Sequence, residues 1–336
     1  MYRHGRTMQV APRRALAALV ASVVLLALAP AAGAATRPDL RVTADIEYRP
    51  VDGAAPLRLD VWQRPGRTNR PVVVMFHGGG WQSGSRSEWA DHDWAQSFAA
   101  AGFVVVTPAY RLSCLAKAAD DGAAASTLRD APCGGTMAQQ RADVEAAVRW
   151  TFANAGRFGG DPGRVVLLGG SAGAHLALMA ATDPAIARRI DGIAAISAPV
   201  DLRSVGKLGL WLNGAAAQSI GCSWQACPAR WADHSPRVAY ARAPRVVPTY
   251  LYASRRDVRT SRTDAFRFAS DLQGRGAQVV LREPASTVSA CHGPWSCDRY
   301  RVAGTRTTLL RDVLRWSARV SAPPRAARPA RLASAG

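Results

Sequence analysis

The sequence predicts an α/β fold: a mostly parallel central sheet with helices on both faces and small insert or cap segments. Three observations carry that prediction. Short apolar runs alternate along the chain with helical stretches of roughly ten to fifteen residues, the pattern of right-handed βαβ units. The run Val165-Val166-Leu167-Leu168 passes through Gly169-Gly170-Ser171-Ala172-Gly173 straight into a small-residue helix. Residues 71–76, apolar throughout, pass straight into His77-Gly78-Gly79-Gly80-Trp81. Strands apolar at every position are covered on both faces. In such sheets the reactive groups sit on loops at the carboxyl ends of the strands.

The first 34 residues read as a secretory signal peptide, outside the fold. Arg3, Arg6, Arg13 and Arg14 precede an apolar run over about residues 15–29, and Ala32-Gly33-Ala34 offers a small-residue cleavage site. The run falls short of the roughly 20 residues that span a bilayer, so no stable membrane anchor is expected. Arg13-Arg14 leaves Sec and twin-arginine export both open. Residues 35–321 form the expected catalytic domain, with 113–140 and 202–243 as its insert segments. Residues 322–336, rich in Pro, Ala and Arg, form an expected disordered tail.

Along that domain, residues 41–49 and 57–62 read as a hairpin turning near Asp52-Gly53. Residues 71–76 are a central strand, 87–101 a helix, 103–106 a strand and 137–152 a helix, with Val144, Val148 and Phe152 along one face. Gly159-Gly160-Asp161-Pro162 reads as a turn. Residues 190–197 are a strand and 201–243 lack clear periodicity. Residues 247–252 are a strand, 263–274 a helix, 278–281 the last strand and 305–320 the closing helix.

Composition narrows the partners. The formal net charge is +19, of which the four N-terminal arginines supply four, leaving +15. Lys117 and Lys207 are the only lysines, and the arginines are scattered rather than set in a stripe, so nucleic acid is not an expected partner. All six cysteines lie beyond the signal segment, and an even number in an exported chain suggests disulfides. Their order pairs them as neighbours: 114–133, 222–227 and 291–297. No metal-ligand spacing accompanies them.

The chemistry centres on Ser171. Gly-x-Ser-x-Gly between strand and helix holds the serine out of a tight turn, as a nucleophile requires. The glycine run 78–80 exposes backbone N–H groups; those of Gly79, Gly80 and Ala172 are the expected donors to an oxyanion. A base and an acid should follow the serine in chain order. Of six histidines, His292 lies beyond the last strand, whereas His77 and His175 are expected to pack beneath their own loops. Asp257 follows the strand ending near Tyr252 and fits the acid. Asp201 is its rival, and Asp264, a turn further on, should face outward. This set needs no metal or organic cofactor. Trp81, Trp211 and Trp224 are candidate apolar lining for the substrate pocket.

At these residues the sequence resembles the α/β-hydrolase superfamily, and within it the carboxylesterases of the hormone-sensitive-lipase and feruloyl-esterase-like type. The matching pieces are His77-Gly78-Gly79-Gly80-Trp81, Tyr110-Arg111-Leu112, the helix from Asp143 to Trp150, Gly160-Asp161-Pro162-Gly163-Arg164-Val165 and Gly170 to Leu176. Asp257 and His292 fall where that family keeps its acid and base. The resemblance implies an ester hydrolase acting on small or polymer-borne esters. Ala109 departs from it, since the family usually has Asp before Tyr-Arg-Leu, as do the two cysteine-bracketed loops.

Overall fold

The computed structural model describes residues 39–114, 131–208, 210–285 and 291–323. The predicted signal peptide, most of the 113–140 segment and the tail beyond 323 lie outside the described residues. β1 (Arg41–Val51) and β2 (Ala54–Gln63) form the expected hairpin. β3 (Arg70–Phe76) follows and leads into the glycine run. The single helix expected over 87–101 is two: α1 (Glu88–Asp91) and α2 (Trp94–Ala100). They part at Asp93, whose φ of 60° is left-handed and breaks a right-handed helix. On a continuous helix Trp89 and Trp94 would point about 140° apart. The break lets both be buried, with ring centroids 5.5 Å apart.

β4 (Val104–Pro108) is followed by α3 (Met137–Asn154), which starts on a reciprocal capping box between Thr136 and Gln139. The expected turn at 159–162 is narrower: Gly159 alone turns, and β5 (Gly160–Gly170) begins at once, pairing with β3 through an irregularity after Gly160. Then come α4 (Ala172–Ala180), α5 (Pro184–Ala187) and β6 (Gly192–Ile196).

The aperiodic stretch near 202–243 is helical, in α6 (Leu202–Leu208), α7 (Leu210–Ile220), α8 (Pro228–Asp233) and α9 (Pro236–Arg242). α8 and α9 start on prolines, whose fixed φ suits a first helical position. Three of the four have two turns or fewer, too short to display a 3.6-residue period. β7 (Thr249–Tyr252), α10 (Arg262–Gly274), β8 (Val279–Arg282), α11 (Gly293–Cys297) and α12 (Leu309–Val320) complete the described chain. α12 starts later than expected: Thr308 pairs with Arg301 in an isolated bridge and stands at the N-cap position in extended backbone.

The eight strands form one sheet in the order β1-β2-β4-β3-β5-β6-β7-β8. The β1–β2 and β2–β4 pairs are antiparallel and all others parallel. Alternation within β3 divides the core. Val72, Val74 and Phe76 join one cluster with Val144 and Val148 of α3 and Leu176 of α4. Val73 and Met75 join the other, with Trp94 and Phe98 of α2 and Val313 and Trp316 of α12. The period of two along a strand therefore buries both faces. The cysteines pair in sequence order: 114–133, 222–227 and 291–297.

Candidate active site

A tight turn joins β5 to α4. Ser171 sits there at φ 52° and ψ −117°, with its N–H donating to the Ile196 carbonyl at 2.8 Å. A non-glycine residue at positive φ in this region is strained, and the surrounding structure must hold it. The turn is tight enough that a Cβ on Gly173 would lie 2.2 Å from the Phe76 carbonyl oxygen. Glycine at 173 lets α4 start directly against the end of β3. The N–H of Ala172, first in the helix, has no acceptor within the helix.

His292 reaches this serine from the loop after β8. The Ser171 hydroxyl donates to His292 Nε2 at 2.8 Å. On the far side of the ring, Nδ1–H donates to Asp257, 3.0 Å from Oδ1 and 2.8 Å from Oδ2. The three residues that the sequence singles out are thus hydrogen-bonded in series. The loop carrying His292 is held at several points. The 291–297 disulfide closes it, Ser296 Oγ accepts from the His292 amide, and Ser197 Oγ accepts from the Gly293 amide.

The Asp257 side chain is 1% exposed. Burial alone would push its carboxyl up. Hydrogen bonds from His292, Thr260 and the Arg259 amide, with the charge of His292, outweigh burial and hold it below the usual carboxylate range. Oδ1 accepts the amides of Arg259 (2.9 Å) and Thr260 (3.1 Å), and Oδ2 accepts the Thr260 hydroxyl at 2.7 Å. Thr260 is absent from the sequence-based site. Its signal was legible: an aspartate commonly accepts backbone N–H groups two and three residues on, and Asp257-x-x-Thr260 has that spacing.

The rival residues have other partners. Asp201 is paired with Arg203 and Arg237. Asp264, expected to face outward, is buried and pairs with Arg267 at 3.6 Å. Its spacing to Phe268 and Leu272 places it on the buried stripe of α10. His77 is buried, stacks on Tyr110 at 4.2 Å and keeps Nδ1 on the Gly78 carbonyl. His175 is buried too. Its Nδ1 accepts from Trp81 Nε1 at 3.3 Å and its Nε2–H donates to the His234 carbonyl at 2.7 Å. Burial, only partly offset by the His234 hydrogen bond, pushes its pKa down to about 3 and keeps the ring neutral.

Facing Ser171 is the glycine run. Gly79 and Gly80 take φ of 100° and 60°. The Gly79 carbonyl accepts the amides of Gln82 and Ser83, closing a tight turn. Neither the Gly79 nor the Gly80 amide donates to a backbone carbonyl among the described residues. The run ends on Trp81, at φ 64°. Its carbonyl takes three donors: the Ser113 amide (2.8 Å), Ser113 Oγ (3.1 Å) and Gln140 Nε2 (2.8 Å). Tyr110 Oη donates to the His77 carbonyl at 2.9 Å.

A cavity of about 400 Å³ opens onto Ser171 and His292. Gly78, Gly79 and Gly80 form its floor, and its walls are Glu88, Asp91, His92, Arg259, Pro294 and Trp295. Two of the three tryptophans expected to line the pocket lie elsewhere. Trp81 is fully buried, turned inward onto His175. Trp224 packs edge-on against Trp231. The Trp211 side chain lies outside the described residues. Among the described residues no wall residue belongs to the 113–140 or 202–243 segments; they come from α1 and its C-cap His92, α11 and the loop after β7.

Residues 54–224, just over half of the 336-residue chain, match the carboxylesterase family. The chain belongs to the carboxylesterase family. The chain is 33% identical over 162 residues to carboxylesterase NlhH of Mycobacterium tuberculosis, a match covering 47% of this chain and 43% of that protein. It is 32% identical over 151 residues to esterase LipQ of the same organism, covering 43% and 30%. The matches thus span less than half the length of these curated relatives. Among solved structures, esterase B from Lactobacillus rhamnosis aligns over 85% of this chain and 87% of its own, at a TM-score of 0.61 and 16% identity. Esterase 2 of Thermogutta terrifontis aligns over 84% and 91%, at 0.55 and 22%. At these identities the likeness is one of fold, and it is that of α/β-hydrolase esterases.

Proposed function

We propose that this carboxylesterase is an exported serine hydrolase of short-chain acyl esters. The observation that carries the reading is the hydrogen-bonded series Ser171–His292–Asp257 at the edge of an open cavity. Ser171 Oγ attacks the ester carbonyl carbon while its proton passes to His292 Nε2. Asp257 orients the imidazole and stabilises the imidazolium. The N–H groups of Gly79, Gly80 and Ala172 take the negative oxygen of the tetrahedral intermediate. Collapse breaks the bond to the alcohol oxygen, which leaves with the proton from His292. The same base then draws a proton from water, whose oxygen attacks the acyl carbon; the second tetrahedral intermediate breaks its bond to Ser171 Oγ, which takes the proton back from His292 as the acid leaves.

Acyl length follows from the cavity. Among the described residues Pro294 and Trp295 are the apolar side chains that line it, and an aliphatic channel for a long chain would need more. The carboxylates and His92 on the walls favour a hydroxyl-bearing alcohol half, so a second reading is deacylation of a polysaccharide such as plant cell wall, acetylated or feruloylated. Export rests on the N-terminal pattern together with the three disulfides. Among the described residues no helix is long and apolar enough to cross a membrane. Residues 35–321 are the proposed catalytic unit, and 113–140 and 202–243 its inserts.

Ser171→Ala tests the reading. The variant should hydrolyse p-nitrophenyl acetate no faster than buffer and should lose fluorophosphonate labelling. Wild-type protein that neither labels nor turns over would instead be a binding protein on a hydrolase scaffold. Rates across p-nitrophenyl esters of increasing length, with acetylated xylan and feruloyl esters, sort the substrates.

A further inference from the structure

The buried hydroxyl of Thr260 has one carboxylate oxygen as its partner, and that oxygen is also the one nearest the His292 ring. Thr260 is 4% exposed and does not line the cavity. Its position follows from the turn after β7. Asp257 Oδ1 accepts the amides of residues 259 and 260, and this turn brings the Thr260 side chain round to Oδ2. The carboxylate is therefore gripped at both oxygens: Oδ1 by two amides and Oδ2 by one hydroxyl.

We propose that Thr260 is a positioning residue for the reaction: its hydroxyl fixes the plane of the Asp257 carboxylate so that it faces His292 Nδ1. The inference rests on the serine-esterase reading above. Without the hydroxyl, Oδ1 stays pinned by two amides while Oδ2 is held by the His292 ring alone. The imidazolium formed during acylation then loses part of its stabilisation. The effect falls on a species that exists only after proton transfer, so it appears in kcat and not in KM. His292 Nδ1 lies within hydrogen-bond reach of both Asp257 oxygens, and the pH–rate profile is the readout.

The test compares Thr260→Val, which removes the hydroxyl and keeps the shape, with Thr260→Ser, which keeps the hydroxyl. Both are assayed on p-nitrophenyl acetate from pH 5 to 9 beside Ser171→Ala. A hydrogen bond to a charged group, realised in part, gives a loss of about tenfold in kcat for the valine variant. KM should stay within about twofold and the acidic limb of kcat/KM should move to lower pH. Serine should restore the wild-type profile. In an Asp257→Asn background the valine substitution should cost nothing further, because Thr260 acts through that carboxylate.

A valine variant with wild-type kcat and an unmoved acidic limb overturns the proposal. So does a serine variant as impaired as valine, or a full further loss in the Asp257→Asn background, either of which marks a packing role. If the valine variant does not fold, Thr260→Ala against Thr260→Ser gives the same contrast. Should Ser171→Ala keep wild-type turnover, the esterase reading itself fails, a result separate from any at Thr260.

Discussion

Asp257→Asn isolates what the buried carboxylate does, and its outcome can be worked from the hydrogen bonds. Oδ1 accepts two backbone amides, so the amide oxygen of the asparagine must take that place. Its NH2 group then occupies the Oδ2 place, 2.7 Å from Thr260 Oγ1 and 2.8 Å from His292 Nδ1. The Thr260 hydroxyl accommodates this by turning its lone pair toward the NH2. His292 must likewise present a bare Nδ1, which puts the ring proton on Nε2. An Nε2–H cannot accept the proton of Ser171. The expected loss in kcat is on the order of 10⁴, the scale seen when a triad base is locked in the wrong tautomer. KM should hardly change, because Asp257 does not line the cavity. The assay is p-nitrophenyl acetate hydrolysis under saturation, with circular dichroism to confirm folding. A folded variant retaining a tenth of wild-type kcat would refute the tautomer argument and the acid's proposed role with it.

Three further outcomes are expected. Gly173→Ala forces a Cβ to within 2.2 Å of the Phe76 carbonyl oxygen; β3 and α4 must part, costing about 1–3 kcal/mol in a urea melt and lowering kcat as Ser171 shifts. His175 is held neutral, with its pKa pushed down to about 3 by burial. Its folded value lies below its unfolded one, so the stability it confers is present above pH 6.5 and is lost as pH falls toward 3. That amounts to about 2 kcal/mol between pH 7 and pH 5, and the slope should shrink in His175→Gln when unfolding is followed by fluorescence. Removing the 291–297 disulfide by paired serine substitution reopens a short loop, worth about 2 kcal/mol. Calorimetry should show a lower Tm, and activity should fall at temperatures where the wild type still works.

What could be read in advance was what is local in sequence. The bend at Ser171, the glycine run and the neighbouring cysteines each depend on residues a few positions apart, and the structure sets them as the sequence implies. Asp257 and His292 could be ranked because topology orders the loops at one edge of a parallel sheet. The cavity walls were another matter. Trp81 belongs to the motif but turns inward, because the donors on its carbonyl and the His175 ring lie far away in sequence. Glu88, Asp91 and His92 come forward because the helix breaks at Asp93, in a stretch whose composition reads as one continuous helix. Asp264 shows the same limit at a single residue. Its place a helix turn beyond the loop suggested solvent, while its spacing to Phe268 placed it inside.

The broken helix has a further consequence. Ser171, Asp257 and His292 hang from backbone that follows β5, β7 and β8, strands buttressed on both faces. Glu88 and Asp91 hang instead from α1, a four-residue helix flanked by turns. The protein is thus divided into a part that is costly to alter and a part that is not. Exchanging Glu88, Asp91 and His92 around the buried Trp89 changes the charge and size of the entrance while the reacting atoms keep their places. New preferences are accessible by drift in one short surface segment, and libraries confined to it are the economical route to a changed substrate.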